Sequence, residues 1–435
     1  MHVLVDDRLA SGPCGDDRYR CGHKSRPYST DAALGALASS DEAGNTGTVA
    51  RVSTARTTAR PLQVLVLRPT LGQGGADRVT ALLLRQFSRD RINATLALAR
   101  QEGPHLDLLP RDVEVVSLGE RRLVLTVPNL TRLLRRRSFD VVLSTSGGMN
   151  TIASLSHFLA RSRAGLVLSE RNKVQRGTDL KARFELGLKK LLYRRADIVT
   201  AVSLGVARDL IDVTDIDESV IRYMPNPVVD RRLEEQSVEA LEHPWFSDGL
   251  GTAPFVTAGR LVPQKDHHTL LTAVAMVRQS HPDFRLVVLG DGPLRSELEA
   301  QRDMLGLHES VDFVGFDPNP FRYMARASGF VLSSRHEGMP GVLIQAMALE
   351  LPVVSTDCDF GPAELLEDGQ AGLLVPVGDA KAMAAAITAL IDDSEGAMAL
   401  AAAARIRVQE FEVALATAGY EQVLIEASER EGMPV

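Results

Sequence analysis

The chain has 435 residues, of which 45% are hydrophobic and 24% charged, so it is long enough for two domains with complete cores and has an ordinary globular composition. No run of about eighteen apolar residues occurs, and the first residues lack the apolar segment of a secretory signal, so neither a transmembrane helix nor secretion is expected. The three cysteines, Cys14, Cys21 and Cys358, fit a reducing cytoplasm without a disulfide framework.

Charge is divided unevenly along the chain. The net charge of −7 combines a nearly neutral start, residues 1–60 with 8 Lys/Arg and 7 Asp/Glu, a basic stretch, residues 61–230 with 26 and 18, and an acidic stretch, residues 231–435 with 15 and 31. A basic half suits an anionic membrane surface, a phosphate-bearing acceptor or nucleic acid. Because the basic residues are not interleaved with aromatic ones and no nucleic-acid-binding motif occurs, nucleic acid is not expected as a partner.

The first half begins with a segment that has no hydrophobic periodicity. Residues 1–60 are interpreted as a disordered tail, or as the product of a start codon assigned too early. From residue 61 onward, short apolar runs alternate with helical patterns, including a basic helix at 179–195. Strands are predicted at 63–67, 96–99, 113–117, 141–145, 165–169 and 198–202. This alternation predicts an N-terminal domain over 61–230 with a doubly wound parallel sheet.

The second half repeats the same alternation after a proline-containing stretch at 224–244. Strands are predicted at 255–258, 284–290, 311–314, 329–332, 353–355 and 372–375, with helices between them. We therefore predict an α/β protein with two Rossmann-like domains that face a central cleft, the second over 231–435, leaving open a return of its last helix to the first domain. Ligands of such sheets bind at the carboxyl ends of the strands.

The most informative motif is F-V-L-S-S-R-H-E-G-M-P-G-V-L-I-Q-A-M-A at residues 330–348. A predicted strand leads into a polar turn, then Glu337, and then the start of a helix. The unpaired N–H groups of a helix start suit a phosphate, and a carboxylate beside them can hold sugar hydroxyls.

Two further turns follow predicted strands. The segment G-R-L-V-P-Q-K-D at 259–266 offers two cations, Arg260 and Lys265, which can neutralise a diphosphate and stabilise it further as it leaves. The alternative is two surface cations on a loop. The turn L-G-Q-G-G-A-D-R at 71–78 allows close backbone approach to a phosphate or a sugar, but it lacks the spacing of a dinucleotide site.

Together these motifs resemble the family 4 retaining glycosyltransferases, GT-B enzymes also described as glycosyl transferases group 1. The resemblance implies that a hexosyl unit moves from a nucleoside diphosphate sugar to a glycan or lipid-linked acceptor, with retention, in cell-surface polysaccharide or lipopolysaccharide synthesis. It implies that Glu337, Arg260 and Lys265 act in catalysis. The donor-binding residues that it implies are Gly74, Gly75, Gly259, Gly338, Met339, Pro340, Gly341, Val342, Leu343 and Gln345.

This sequence departs from the family pattern at three places. The second of two family glutamates is replaced by Gln345, which keeps one acceptor for a ribose diol but supplies no charge, so we expect weaker donor binding rather than slower chemistry. Asp77 stands where the turn G-G-A-E-R has glutamate. Some members have a histidine near a strand end where this chain has L-S-E-R-N, so that role is not transferred. The candidates on the acceptor side there are Glu170, Arg171 and Asn172.

No metal or other cofactor is expected. Asp357-Cys358-Asp359 has the D-x-D form that binds a divalent cation in another glycosyltransferase architecture, but Arg260 and Lys265 can carry the diphosphate charge instead. Two other activities stay open for the same fold: a catalytically inactive nucleotide-sugar-binding protein, and a sugar-nucleotide hydrolase or epimerase.

A cytoplasmic protein is expected, with peripheral attachment to the inner face of the plasma membrane as one option. Two basic clusters suggest an anionic membrane surface as a partner. The first consists of Arg132, Arg135, Arg136 and Arg137. The second consists of Lys181, Arg183, Lys189, Lys190, Arg194 and Arg195, on a helix with Leu188, Leu191 and Leu192. The alternative is a solvated helix face whose leucines enter the core.

Overall fold

The computed structural model describes residues 60–72, 74–120, 122–174, 180–247 and 253–430, with the side chains of 180–182 left out. The expectations for residues 1–59, including the tail and the two cysteines within it, lie outside the described residues. The described part of the chain falls within one compact unit.

The first half forms a seven-stranded sheet in which every neighbouring pair is parallel, in the order β3-β2-β1-β4-β5-β6-β7. The central strands are buried apolar runs because helices cover both faces of the sheet. The strands are β1 (Leu62–Arg68), β2 (Ile92–Leu98), β3 (Glu114–Ser117), β4 (Val141–Ser144), β5 (Gly165–Glu170), β6 (Ile198–Ala201) and β7 (Ile221–Tyr223). The helices are α1 (Gly75–Gln86), α2 (Val127–Arg136), α3 (Gly147–Ala160), α4 (Leu180–Tyr193) and α5 (Leu204–Thr214).

The second half forms a six-stranded parallel sheet in the order β10-β9-β8-β11-β12-β13. Its strands are β8 (Phe255–Ala258), β9 (Leu286–Leu289), β10 (Val311–Gly315), β11 (Gly329–Leu332), β12 (Val353–Thr356) and β13 (Leu373–Val375). The helices from here on are α6 (Arg231–Ser237), α7 (His267–Ser280), α8 (Arg295–Met304), α9 (Phe321–Met324), α10 (Gly341–Ala348), α11 (Pro362–Leu365), α12 (Ala380–Asp392), α13 (Ser394–Arg407) and α14 (Val413–Glu429).

The predicted fold class, an α/β protein with two doubly wound sheets, is confirmed, and most predicted strands differ from the observed ones by only a few residues at their ends. Strand β7 was not predicted, because it is three residues long and only half-buried, and so has no distinct apolar run.

The last helix, α14, returns to the first sheet and packs against β5, β4 and α1. The contact is close, since a Cβ on Gly165 of β5 would lie 2.2 Å from the carbonyl oxygen of Ala427. Charged contacts support it: Arg91 pairs with Glu421 and Arg222 pairs with Glu426. The two halves are therefore joined by two chain segments.

Those two segments run side by side. Val228 and Val229 both donate their N–H groups to the carbonyl of Phe411, and Val413 donates to the carbonyl of Val229. In the described part of the chain, one of the three clusters of buried apolar side chains spans both sheets, and the other two each lie on one sheet. The cluster on the first sheet includes side chains of α14. Among the described helices, none combines the length and the apolar character needed to cross a bilayer.

Candidate active site

The sheet order brings two predicted turns to the same edge. Strands β8 and β11 are hydrogen-bonded neighbours, so the turns that follow them meet although they are far apart in sequence. The first turn runs over 259–266 and contains Arg260 and Lys265, and the second runs over 333–340 and contains Glu337. This is the carboxyl edge of a parallel sheet, where ligands of such folds bind.

Lys265 and Glu337 form an ion pair at this edge. The Nζ of Lys265 lies 2.7 Å from Oε1 of Glu337, and both side chains are largely buried, with 18% and 10% exposed. The hydroxyl of Ser334 donates to the same carboxylate oxygen at 2.7 Å. The carboxylate is thus held in one orientation by two donors, while Oε2 has no hydrogen-bond partner among the described residues.

The two turns are also tied together through their backbones. Gln264 donates its side-chain amide to the carbonyl of His336 at 2.8 Å, and its own carbonyl accepts from the N–H of Arg335 at 2.8 Å. The hydroxyl of Ser333 donates to the carbonyl of Lys265. Because each turn is fixed by the other, the Lys265–Glu337 pair is held before any ligand binds, which lowers the ordering cost of binding.

A cavity of about 370 Å³ opens beside this pair and extends between the two sheets. Arg260 lies on its wall, is exposed, and has no ion-pair or hydrogen-bond partner for its guanidinium within the described residues. Gly341 and Val342, the first residues of α10, also lie on the wall, and no side chain caps the start of that helix. One free cation and an uncapped helix start are features that favour binding of a phosphate.

The opposite wall comes from the first half. Gly74 and Gly75, at the start of α1, line the cavity. The turn is anchored by Asp77, whose carboxylate lies 2.7 Å from the guanidinium of the buried Arg68 at the end of β1. A Cβ on Gly74 would lie only 3.0 Å from Asp77, so the short aspartate packs tightly under the turn.

The two halves touch at Gly338. A Cβ on this residue would lie 1.8 Å from the carbonyl oxygen of Arg171, so only glycine fits there. A second link lies beside it: Arg171 donates to Oδ1 of Asn226 at 3.2 Å, and Asn226 donates to the carbonyl of Met339 at 3.3 Å. The second turn, over 333–340, is therefore positioned by the first half as well as by its own sheet.

Most of the residues singled out from the sequence line this cavity. They are Gly74, Gly75, Arg171, Asn172, Gly259, Arg260, Lys265, Glu337, Gly338, Met339, Pro340, Gly341, Val342 and Gln345.

Two candidates are placed elsewhere. Leu343 is fully buried in the hydrophobic core, and its N–H donates to the carbonyl of Pro340. Glu170 is turned into the first half, where its carboxylate accepts from Lys189 at 2.6 Å and from the hydroxyl of Tyr193 at 2.8 Å. Neither side chain lies on the cavity wall.

No residue of the D-x-D segment lines the cavity. Asp359 pairs with Lys173 of the first half at 2.6 Å, and the N–H of Asp357 donates to the carbonyl of Val375. Burial, with the nearby Glu337 carboxylate, raises the pKa of the Cys358 thiol to about 12, so this thiol is protonated at neutral pH. Within the described ranges, no group of three or more His, Cys, Asp or Glu side chains is arranged to hold a metal ion.

Several wall residues were not singled out from the sequence. Arg78 lies over the ring of Phe321 at 5.3 Å, and burial lowers the pKa of its guanidinium. His105 lies on the same wall, and its pKa is lowered by burial and by the charge of Arg78. Arg78 belongs to the glycine-rich turn at 71–78 that the sequence analysis used, and Asn226 lies in the proline-containing stretch at 224–244, whereas His105 follows a turn without a recognisable pattern.

A cleft between two Rossmann-like sheets, with two cations and an uncapped helix start on one wall and a glycine turn on the other, defines a two-domain α/β protein whose cleft suits a phosphate-bearing ligand. Comparison with known families agrees. Residues 73–232 match the model described as Glycosyltransferase Family 4, and residues 253–393 match the model described as Glycosyl transferases group 1.

Individual proteins show the same likeness. The chain is 29% identical over 337 residues to the N-acetylgalactosamine-N,N'-diacetylbacillosaminyl-diphospho-undecaprenol 4-alpha-N-acetylgalactosaminyltransferase of Campylobacter jejuni, covering 75% of this chain and 89% of that one. It is 32% identical over 177 residues to the uncharacterized glycosyltransferase MJ1059 of Methanocaldococcus jannaschii, covering 41% of this chain and 44% of that one. This chain thus spans less than half of that relative's length.

Among solved structures, the Anabaena protein Alr3699/HepE in complex with UDP superposes with a TM-score of 0.70 at 23% identity, over 84% of this chain and 100% of that one. This likeness establishes the fold. With both family models matched, the chain belongs to the family 4-like glycosyltransferases of the GT-B fold.

Proposed function

We propose that this glycosyltransferase moves a hexosyl unit from a nucleoside diphosphate sugar to a hydroxyl of a glycan or lipid-linked acceptor, with retention of anomeric configuration, in polysaccharide or lipid-linked glycan synthesis. The observation that carries the proposal is the Lys265–Glu337 pair on the cavity wall, together with Arg260 and the start of α10. The Campylobacter relative, whose name specifies a diphospho-undecaprenol acceptor, supports an acceptor of that class.

The wall residues suit the bond changes of a same-face transfer. The bond between the anomeric carbon and the phosphate oxygen breaks, the bond to the acceptor oxygen forms, and the acceptor proton passes to the departing phosphate. Arg260 and Lys265 stabilise the charge that develops on that phosphate. Glu337, held by Lys265 and Ser334, orients the sugar hydroxyls through its remaining oxygen. No enzymic nucleophile is needed in this scheme.

A donor panel tests this function. Purified protein is incubated with UDP-, GDP- and dTDP-hexoses, with and without bacterial lipid extract, while nucleoside diphosphate release is measured and the product linkage is assigned by NMR. Acceptor-dependent release with the anomeric configuration of the donor is the expected result. Release that does not depend on acceptor indicates a hydrolase, and binding of donor without release indicates an inactive binding protein.

Glu337→Ala is expected to lose far more activity than Gln345→Ala. Glu337 is fixed beside the cations, whereas Gln345 lies on the second turn of α10 and would, as the family resemblance implies, contact the ribose. The kcat of Glu337→Ala should fall by roughly 100-fold or more, and that of Gln345→Ala by less than about tenfold with a raised donor KM.

Gln345→Glu is the matched control, since it restores the family residue, and it should stay active. A larger drop in kcat for Gln345→Ala than for Glu337→Ala would contradict the assigned roles.

Transfer is expected to persist in EDTA. Arg260 and Lys265 supply positive charge at the cavity wall, and Asp359 of the D-x-D segment is engaged by Lys173. Initial rates with excess EDTA should match those without it. Complete loss that magnesium or manganese restores would instead assign the diphosphate charge to a metal held by Asp357 and Asp359.

A further inference from the structure

Helices α2, α3 and α4 pack side by side on one face of the first sheet and expose large apolar side chains to solvent. On α4, Phe184 is 71% exposed and Leu191 is 65% exposed. These two residues are seven positions apart, so they lie on the same side of the helix. Because both side chains point mostly into solvent, packing of the protein core does not explain why they are apolar. A large exposed apolar patch marks an interaction site.

The neighbouring elements continue this surface. Phe158 and Leu159, near the end of α3, are exposed, as are Val124 and Leu125 in the 3-10 turn Leu123–Thr126 that leads into α2. That turn also packs against α3. We call the set Val124, Leu125, Phe158, Leu159, Phe184 and Leu191 the apolar face.

Arginines surround the apolar face and contact it directly. The guanidinium of Arg195 lies 4.4 Å from the ring centre of Phe158, and Arg135 donates to the carbonyl of Leu159 at 2.7 Å. Arg132, Arg161, Arg163 and Arg194 are exposed around them. Helices α2 and α3 contain no acidic residue and α2 carries three arginines, so the surface they present is basic.

The acidic groups nearby are few and engaged. Glu185, the one acidic residue of α4, makes its own interaction, and Asp215 accepts from Lys190 at 3.0 Å. Glu114 forms an exposed ion pair with Arg137. Arg194 also lies 3.9 Å from Asp215. The other arginines around the apolar face, Arg132, Arg135, Arg161, Arg163 and Arg195, form no ion pair within the described residues, so their charge can act on an external partner.

The structure changes which residues form this surface compared with the sequence-based expectation. Lys189 is drawn inward to Glu170, and Leu192 is buried while Leu188 is half-buried. The side chain of Lys181 lies outside the described part. The exposed phenylalanines, which the sequence interpretation did not use, supply much of the apolar area instead.

We propose that the apolar face is a docking surface for an anionic lipid bilayer. Apolar side chains that enter the acyl boundary, surrounded by arginines whose stems are apolar and whose heads reach phosphate, match the chemistry of an anionic membrane interface. The proposal extends the proposed function, because docking brings the cleft to a lipid-linked acceptor.

Vesicle co-sedimentation of the full chain tests it. Vesicles of phosphatidylcholine alone are compared with vesicles that also contain phosphatidylglycerol, at low and high salt. The wild type is expected to bind only the anionic vesicles and to be released by salt, because screening weakens attraction between exposed charges. The double variant Phe184→Ser/Leu191→Ser should bind the anionic vesicles about tenfold or more weakly than the wild type. The double variant Arg132→Glu/Arg163→Glu should show the same loss of binding.

The control is Met304→Ser with Ile406→Ser, which removes two exposed apolar side chains, 81% and 69% exposed, from the second half. It should bind like the wild type. Equal binding by the Phe184/Leu191 variant and the wild type, no binding to either vesicle, or salt-insensitive binding to both would overturn the proposal.

Donor turnover with a water-soluble acceptor is measured on the same variants and should not change. This separates the two hypotheses: an inactive protein that still binds anionic vesicles contradicts the proposed function alone, and an active one that ignores vesicles contradicts the docking surface alone.

Discussion

Replacing Gly338 with alanine is expected to remove nearly all transferase activity while leaving both sheets folded. The added Cβ would lie 1.8 Å from the carbonyl oxygen of Arg171, a backbone atom that cannot rotate away. The φ angle of Gly338 is not in the left-handed region, so the requirement is for space alone. Relief requires the turn beside Glu337 to move away from the first half. A displacement of about 1 Å at a catalytic group costs roughly 100-fold in rate, and we expect kcat/KM to fall at least that far.

Gly187→Ala is the matched control. Gly187 is an exposed glycine of α4 away from the cavity wall, and its added Cβ would meet nothing within 4 Å. Its kcat/KM should stay within a few-fold of the wild type. Circular dichroism and a thermal melt establish that both variants are folded. A folded Gly338→Ala protein with wild-type kcat/KM would contradict this prediction, because it would mean that the close contact between Gly338 and Arg171 is not needed for activity.

Lys265→Ala is expected to be more damaging than Arg260→Ala, although both remove one cation from the cavity wall. Arg260 has no partner among the described side chains, so its removal deletes only the contact that we propose it makes with the diphosphate. Removal of Lys265 also leaves Glu337 without its ion-pair partner, placing an uncompensated carboxylate beside the site for an anion. A charge-assisted contact to phosphate contributes about 2–4 kcal/mol in the transition state, hence a fall in kcat of roughly 30- to 1,000-fold, with Lys265→Ala toward the upper end.

A double-mutant cycle checks the physical reason for this difference. In Glu337→Gln with Lys265→Ala the stranded charge is gone, so donor KM should recover part of what Lys265→Ala alone loses, even though kcat stays low. Lys381→Ala, which removes an exposed lysine at the start of α12, serves as the control for loss of one positive charge and should have no effect. Wild-type turnover in both Arg260→Ala and Lys265→Ala would refute the assigned role of the pair.

Sequence patterns were sufficient for the positions of most strands because each is a short apolar run bounded by polar turns. They were also sufficient for the turns at strand ends, since the carboxyl edge of a parallel sheet follows from the alternation of strands and helices. The patterns were less informative about the direction in which each side chain points. Successive residues of an extended strand point to opposite faces, so Glu170 faces Lys189 and Tyr193 while Arg171, one residue later, lies at the cavity wall. The sequence prediction that Leu343 contacts the donor failed for a related reason. One side of the short helix α10 faces the cavity wall and holds Val342 and Gln345, whereas Leu343 lies on the side that faces the core.

The sequence by itself determined the class of fold, the location of the cations and the carboxylate on strand-end turns, and the glycine turn opposite them, because all of these are local patterns. Only the tertiary structure decided that Lys265 and Glu337, 72 positions apart, share one hydrogen bond, and that Gly338 has to be a glycine. It also decided which apolar side chains of α3 and α4 remain exposed to solvent. Ion pairing, steric contact and burial each depend on distances between residues that are remote in sequence, and those distances exist only after the two sheets have packed together.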